Sequence, residues 1–108
     1  MKLIISIVQD QDTLTLVDEL TEHDFRVTKL ASTGGFLKSG NTTLLIGVED
    51  DQVQTVLDVI ESTCKTREMT TSLLSVTMPG DTYIPYPIEV KIGGATIFIL
   101  DVEKYMRV

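Results

Sequence analysis

The residues best suited to bind an anion surround a glycine-rich segment in the first half of the chain. Arg26 and Thr28 alternate with apolar residues in a predicted strand, so their side chains lie on the same side of it. The segment 32–41 follows and contains Gly34 and Gly35, which let a ligand approach the backbone and leave amide N–H groups free to donate. Together these residues indicate a phosphate-binding site, although the glycine pair alone fits a plain hairpin loop equally well.

Further residues extend this predicted site beyond a phosphate. Asn41, at the end of the segment 32–41, and Gly47, in the strand that follows, lie on the following-strand side of the loop and add an amide and open space. Phe36 in the segment and Phe98 near the C-terminus offer rings on which a base can stack, although Phe98 equally fits an ordinary core. An arginine–phosphate contact contributes about 1.5 to 3 kcal/mol and a stacked base about 1 to 3 kcal/mol. Two phosphates and two bases therefore predict micromolar affinity or better.

Residues for catalysis or metal binding are few. His23 is the single histidine and is predicted to be exposed at a helix end, while Cys64 lies on the apolar side of a helical pattern and is predicted to be buried. No His, Cys or Asp residues have the spacing of a metal site or a catalytic triad. The pairs Asp10/Asp12 and Asp50/Asp51 are typical of helix starts. We therefore predict a binding protein with no catalytic residues, no metal and no cofactor.

Charge and hydropathy limit the partners. A formal net charge of −7 opposes binding to a nucleic-acid polymer, whereas a compact ligand with one or two phosphates needs only local positive charge. The apolar run Leu3 to Val8 is too short to span a membrane, and no small-residue cleavage site follows it. These features predict a cytoplasmic protein that makes no membrane contact.

The hydrophobic pattern predicts an α+β domain that occupies the whole of residues 1–108. Strands are expected at Lys2 to Val8, Phe25 to Ala31, Thr42 to Val48 and Met69 to Met78. Helices are expected at 13–22 and along the apolar stripe Val53 to Cys64. A hairpin is expected about Gly93-Gly94, formed by Ile88 to Ile92 and Ala95 to Leu100. The first strand has the pattern of one buried on both faces. This order matches the ferredoxin-like β-α-β-β-α-β plan with an added C-terminal hairpin strand. Both helices then cover one sheet face, and a symmetric oligomer is expected to cover the other.

Several motifs resemble those of a known family. They are Ile-Val-Gln-Asp-Gln-Asp from Ile7, Phe25-Arg26 with Thr28-Lys29-Leu30-Ala31, Thr33-Gly34-Gly35-Phe36-Leu37, Gly40-Asn41-Thr42-Thr43, Tyr83-Ile84-Pro85-Tyr86-Pro87 and Gly93-Gly94-Ala95-Thr96. The chain resembles the PII-like cyclic di-AMP receptors of the PstA/DarA family over essentially its whole length. The resemblance implies a bacterial PII-like homotrimer that binds one cyclic di-AMP in each cleft between neighbouring subunits. It also implies that two flexible loops, 32–41 and roughly 67–87, respond to the ligand and signal to an unknown downstream protein, without known catalysis.

The same resemblance assigns roles to individual residues. It implies that Arg26 and Thr28 contact phosphate or base edges, that Gly35, Phe36 and Leu37 form a wall against an adenine, that Asn41 and Gly47 complete the pocket, and that Phe98 packs against an adenine. Two departures from the family pattern are Asp24, where the family often has Asn, and the C-terminal residues Lys104 to Val108. A carboxylate at position 24 would repel a nearby phosphate.

Three alternatives share this architecture. An ATP-binding PII-type regulator needs a basic cluster for the triphosphate, which carries about four negative charges. The basic residues near the predicted site are only three, Arg26, Lys29 and Lys38. An acylphosphatase-like phosphoryl hydrolase needs a basic, amide-rich loop after the first strand, where this chain has Gln9-Asp10-Gln11-Asp12. A metal-handling trimer of the CutA type needs soft ligands, and this chain has one His and one Cys.

Overall fold

Six strands and two α-helices make up the part of the chain that the computed structural model describes, residues 1–30, 40–72 and 87–108. In chain order they are β1 (Lys2–Gln9), α1 (Asp10–Glu22), β2 (Val27–Leu30), β3 (Asn41–Val48), α2 (Val53–Cys64), β4 (Arg67–Ser72), β5 (Pro87–Ile92) and β6 (Ala95–Asp101). A short 3-10 helix, Asp50–Gln52, leads into α2. The predicted α+β class, with two helices and an antiparallel sheet, is confirmed.

Four of the strands form one antiparallel sheet in the order β2-β3-β1-β6. The two long strands β1 and β3 lie at its centre, and β2 and β6 are its edges. This order is consistent with the ferredoxin-like plan, in which the last strand pairs with the first. Here β6 takes that last position, and β4 and β5 form a separate two-stranded ribbon.

The predicted hairpin about Gly93-Gly94 is wrong in its pairing. Strands form on both sides of the two glycines, but β5 pairs with β4 while β6 pairs with β1. Ile97 of β6 lies beside β1 and packs against the hydrophobic core, which favours the pairing of β6 with β1. Gly93 and Gly94 have φ of 84° and 94°, and they redirect the chain from the ribbon into the main sheet.

The core lies between the two helices and one face of the main sheet. Its central members come from β1, β3, α1 and α2 and are fully or almost fully buried: Ile4, Val8, Leu16, Leu20, Leu44, Ile46, Val56, Ile60 and Cys64. Helix α2 provides Val56, Ile60 and Cys64 from the apolar stripe that the sequence predicts. Burial of each such side chain contributes roughly 1.5 to 3 kcal/mol to the free energy of unfolding.

No helix of the described residues covers the opposite face of the main sheet, which we call the open face. Its strand positions follow from the pairing and are Leu3, Ile5, Ile7 and Gln9 on β1, Thr28 and Leu30 on β2, Asn41, Thr43, Leu45 and Gly47 on β3, and Thr96, Phe98 and Leu100 on β6. Leu3, Ile5 and Ile7 are only partly buried, so the prediction that β1 is buried on both faces is wrong for the single chain. Leu30, Phe98 and Leu100 are among its large exposed apolar side chains.

We expect alanine to destabilise the protein far more at Gly93 than at Gly40. Both glycines have positive φ, which costs an alanine about 1 to 2 kcal/mol. A Cβ at Gly93 would also come within 2.6 Å of Arg67 Nη1 and of the Lys65 carbonyl oxygen, whereas a Cβ at Gly40 would meet nothing within 4 Å. Overpacking of this kind adds about 1 to 3 kcal/mol. Urea titration of both variants measures the difference, and equal midpoints would contradict it.

Candidate ligand-binding site

Arg26, Thr28 and Gly47 lie together at one corner of the open face. Thr28 lies on β2 opposite Leu45, and Val27 lies opposite Ile46. Continuing this register and alternation by one residue places Arg26 opposite Gly47 and on the same face as Thr28. Arg26 and Thr28 are both exposed, and within the described residues Arg26 forms no salt bridge. The predicted side-by-side arrangement of Arg26 and Thr28 is therefore consistent with the structure.

Gly47 leaves open space beside Arg26. Among the described residues, a Cβ added at this position would meet nothing within 4 Å, and the φ of Gly47 lies outside the range that favours glycine. The packing of the described residues therefore does not require glycine here. The missing side chain instead keeps the surface beside Arg26 accessible to an external group.

Phe98 lies on the open face but at the far edge of the sheet. Cross-strand pairs place Thr28, Leu45, Ile5 and Phe98 in one row across β2, β3, β1 and β6. Three strand spacings separate the two ends of this row, or about 14 Å. A single chain therefore does not bring Phe98 into contact with the Arg26 corner.

Asn41 occupies a third position, at the other end of β3 from Gly47. Six residues along a strand correspond to about 20 Å. Asn41 pairs with Gln9, the last residue of β1, and lines a cavity of about 360 Å³ together with Gln9, Thr66, Gly93, Gly94 and Thr96. The remaining predicted site residues, Gly35, Phe36 and Leu37, lie outside the described residues.

The open face is well suited to an anion despite the acidic composition of the chain. The sequence has 16 Asp and Glu residues, yet every strand position on the open face carries an apolar residue, glycine, threonine, asparagine or glutamine. Asp24, two residues before Arg26, is exposed and has φ of 64°. Asn and Asp tolerate this left-handed conformation better than most residues, which gives Asp24 a structural reason for its place after α1.

Comparison with known proteins places these features in a family. A family model described as cyclic-di-AMP receptor matches residues 1–108, the whole chain. The chain is a cyclic di-AMP receptor family member. A similar solved structure is that of a functionally unknown protein from Pediococcus pentosaceus ATCC 25745, with 43% sequence identity, a TM-score of 0.78, and coverage of 99% of this chain and 96% of that chain. The family resemblance drawn from the sequence motifs is thus confirmed.

Membership of a cyclic di-AMP receptor family favours binding over catalysis. Burial raises the pKa of the Cys64 thiol to about 11, so the thiol stays protonated at neutral pH and is a poor nucleophile. His23 is exposed at the end of α1, as predicted, and its Nδ1 lies 2.8 Å from the Glu19 carbonyl oxygen. Among the described residues, no three His, Cys, Asp or Glu side chains lie close enough to hold a metal ion.

The two α-helices of the described residues have 13 and 12 residues, whereas a membrane-spanning helix needs about 20. None of the helices in ranges 1–30, 40–72 and 87–108 is both long and apolar enough to cross a bilayer.

The start of α1 differs from the loop that phosphoryl hydrolysis by an acylphosphatase-like mechanism requires. Asp10 begins the helix and accepts a hydrogen bond from the Thr42 hydroxyl, which places a carboxylate where such an enzyme needs amide and basic groups.

Sequence reasoning missed an ion pair beside Asn41. Asp12 is buried in the first turn of α1 and accepts hydrogen bonds from the Arg67 guanidinium at 2.7 Å (Nη2 to Oδ1) and 3.4 Å (Nη1 to Oδ2). The hydrogen bond to Asp12 raises the pKa of Arg67 above its ordinary value. The two residues are 55 positions apart, so no local spacing pointed to their contact. Asp12 was predicted only as a residue typical of a helix start.

Proposed function

We propose that this chain is a cytoplasmic receptor that binds cyclic di-AMP in clefts between subunits of a PII-like homotrimer. On this proposal residues 1–108 form a single binding domain, the ligand acts as a signal rather than a substrate or cofactor, and loops near the cleft signal to a downstream protein. The observation that carries the proposal is the division of the predicted site residues between the two edges of one open face. Membership of the cyclic di-AMP receptor family supports the choice of ligand.

The division between edges favours a site shared by two subunits. Arg26 and Thr28 lie at the β2 edge, and Phe98 lies at the β6 edge about 14 Å away. In a cyclic trimer each subunit uses two different surfaces, and we propose that one subunit's β2 edge meets its neighbour's β6 edge. A ring of this kind places Arg26 of one subunit near Phe98 of the next. It also covers exposed apolar side chains of the open face, such as Leu30 and Leu100.

The chemistry of the shared cleft fits a cyclic dinucleotide. Arg26 is expected to bind a phosphate oxygen through its guanidinium, and Thr28 to donate its hydroxyl to a phosphate or a base edge. Phe98, with half of its surface exposed, is expected to reach across from the neighbouring subunit and stack on an adenine of the ligand. Gly35, Phe36 and Leu37 are proposed to close the cleft against the second adenine, and Asn41 and Gly47 to complete it.

Titration calorimetry against a small nucleotide panel tests the proposal. We expect one cyclic di-AMP per subunit with micromolar affinity or better, and at least tenfold weaker binding of cyclic di-GMP and ATP. The guanine bases change the hydrogen-bonding edges that the cleft reads, and the triphosphate needs more positive charge than Arg26 provides. Light scattering after size-exclusion chromatography is expected to give the mass of a trimer.

Two results would overturn the proposal. One is a purified chain that stays monomeric and does not bind cyclic di-AMP at millimolar concentration. The other is release of phosphate from acyl phosphates that is lost in Arg26→Ala, because this would make the Arg26 corner a catalytic site.

A further inference from the structure

The β4–β5 ribbon (residues 67–72 and 87–92) joins the main sheet and the helices of the described part of the chain at the end that carries Arg67 and Ile92. Among the described residues, β4 and β5 pair with each other and with no strand of the main sheet. The closing pair at the attached end is Arg67 with Ile92. Within the described residues, the contacts that hold this end of the ribbon are made by Arg67 and by Gly93 and Gly94, which follow Ile92.

These contacts join the ribbon to the end of β1, the first turn of α1 and the end of α2. Arg67 donates to the buried Asp12 carboxylate, the Gly93 amide donates to Gln9 Oε1 at 2.8 Å, and the Gly94 amide donates to the Cys64 carbonyl oxygen. Gly93 also packs so closely on the Arg67 guanidinium that no Cβ would fit between them. Bidentate pairing and this close packing fix the direction in which the ribbon leaves the domain.

The end of β1 and the start of α1 also hold the end of β3 that carries Asn41. Gln9 pairs with Asn41, the Asp10 amide donates to the Gly40 carbonyl oxygen at 2.8 Å, and the Thr42 hydroxyl donates to Asp10. Gln9 and Gly93 line the same cavity as Asn41. A group that binds at Asn41 therefore lies in the cavity lined by Gln9 and Gly93, two of the residues that hold the ribbon.

We propose that Gln9, Asp12 and Arg67 form a polar latch that couples the occupancy of the Asn41 cavity to the position of the β4–β5 ribbon. Arg67 and Asp12 act as positioning residues and do not touch the ligand. Coupling between two positions is reciprocal, so a ligand that stabilises the latch is itself bound more tightly when the latch is intact. The identity of that ligand as cyclic di-AMP rests on the proposed function, whereas the latch itself is a property of the protein without ligand.

Hydrogen exchange of the ribbon amides tests the latch without ligand. We expect Arg67→Gln to speed exchange at 67–72 and 87–92 at least tenfold, because the buried Asp12 carboxylate loses its partner and the ribbon end is released. Lys65→Gln is the matched control. It also removes one positive charge, but from an exposed side chain that lies two residues before Arg67 and outside the latch. The control is expected to stay within twofold of the wild type. Equal exchange in all three proteins would overturn the latch.

The coupling is tested by the same measurement with cyclic di-AMP added. We expect the ligand to slow ribbon exchange in the wild type and in Lys65→Gln, and to have no such effect in Arg67→Gln, whose affinity falls at least threefold in calorimetry. Equal slowing in the wild type and Arg67→Gln would overturn the coupling. If the wild type does not bind cyclic di-AMP, the proposed function fails and the ligand-free measurement still decides the latch.

A conservative variant separates positioning from folding. Arg67→Lys keeps the positive charge but has no planar fork to span both Asp12 oxygens. We expect a folded protein with ribbon exchange between those of the wild type and Arg67→Gln. If Arg67→Gln does not fold, Arg67→Lys takes its place in both measurements, and wild-type exchange in this variant would then overturn the proposal.

Discussion

Replacement of Arg26 by alanine is expected to weaken cyclic di-AMP binding at least tenfold, by ~1.4 kcal/mol or more. A hydrogen bond between a charged donor and a phosphate contributes about 1.5 to 3 kcal/mol, and the open face offers no second strand position with a basic side chain to replace it. Because Arg26 is exposed and forms no salt bridge within the described residues, its removal is expected to leave the urea midpoint unchanged. Titration calorimetry measures the affinity.

Lys29→Ala is the matched control for Arg26→Ala. Lys29 is also exposed and basic, but it pairs with Leu44 and so lies on the helix-covered face of the same strand. Both variants change the net charge by the same amount, so a general electrostatic effect would weaken binding equally in both. We expect Lys29→Ala to stay within threefold of the wild type. Equal losses in the two variants would contradict a specific contact at Arg26.

The parts of the fold that sequence predicts well are those fixed by local periodicity. Val56, Ile60 and Cys64 recur at helical spacing, and the structure buries all three in α2. Thr28 and Leu30 alternate with Val27, and the pairing of β2 with β3 places Thr28 and Leu30 on the open face and Val27 on the helix-covered face. In both elements the apolar residues specify which side turns inward, so the side that faces a ligand or solvent follows without knowledge of the rest of the chain.

Strand order is the main feature that local patterns do not specify. Two apolar strands around Gly93-Gly94 predict a hairpin, but the neighbours of each strand depend on which distant strand has a free edge and a matching face. β6 joins β1, some 90 residues earlier in the chain, and β5 joins β4. The same limit applies to the ion pair of Asp12 with Arg67. Each residue has an ordinary local explanation, and only the folded chain brings them together.

For the predicted site residues, side-chain alternation indicated a common face but not the distances across it. Thr28, Asn41, Gly47 and Phe98 all lie on the open face, because side-chain alternation decides the face. Their separation depends on strand order and on position along each strand. Phe98 therefore lies about 14 Å from Thr28, and Asn41 about 20 Å from Gly47, although the sequence reasoning treated them as one pocket.

Replacement of Phe98 by alanine is expected to weaken cyclic di-AMP binding by about tenfold, since loss of base stacking costs about 1 to 3 kcal/mol. Phe98 is 52% exposed in the single chain, so its truncation removes little core packing. Ile99→Ala is the matched control, because Ile99 is the next residue, is 44% exposed and lies on the opposite face of β6. Calorimetry is expected to give near wild-type affinity for the control.

A mixture of the two weakened variants then tests whether the site is shared between subunits. Refolding Arg26→Ala chains together with Phe98→Ala chains produces some interfaces in which an intact Arg26 from one subunit faces an intact Phe98 from its neighbour. Random assembly of a ring makes about one site in four intact, and these sites are expected to bind with wild-type affinity. A site built within one chain would gain nothing from mixing, because each chain lacks one of the two side chains. Binding by the mixture that equals the mean of the two variants would therefore reject the shared cleft while leaving the individual contacts in place.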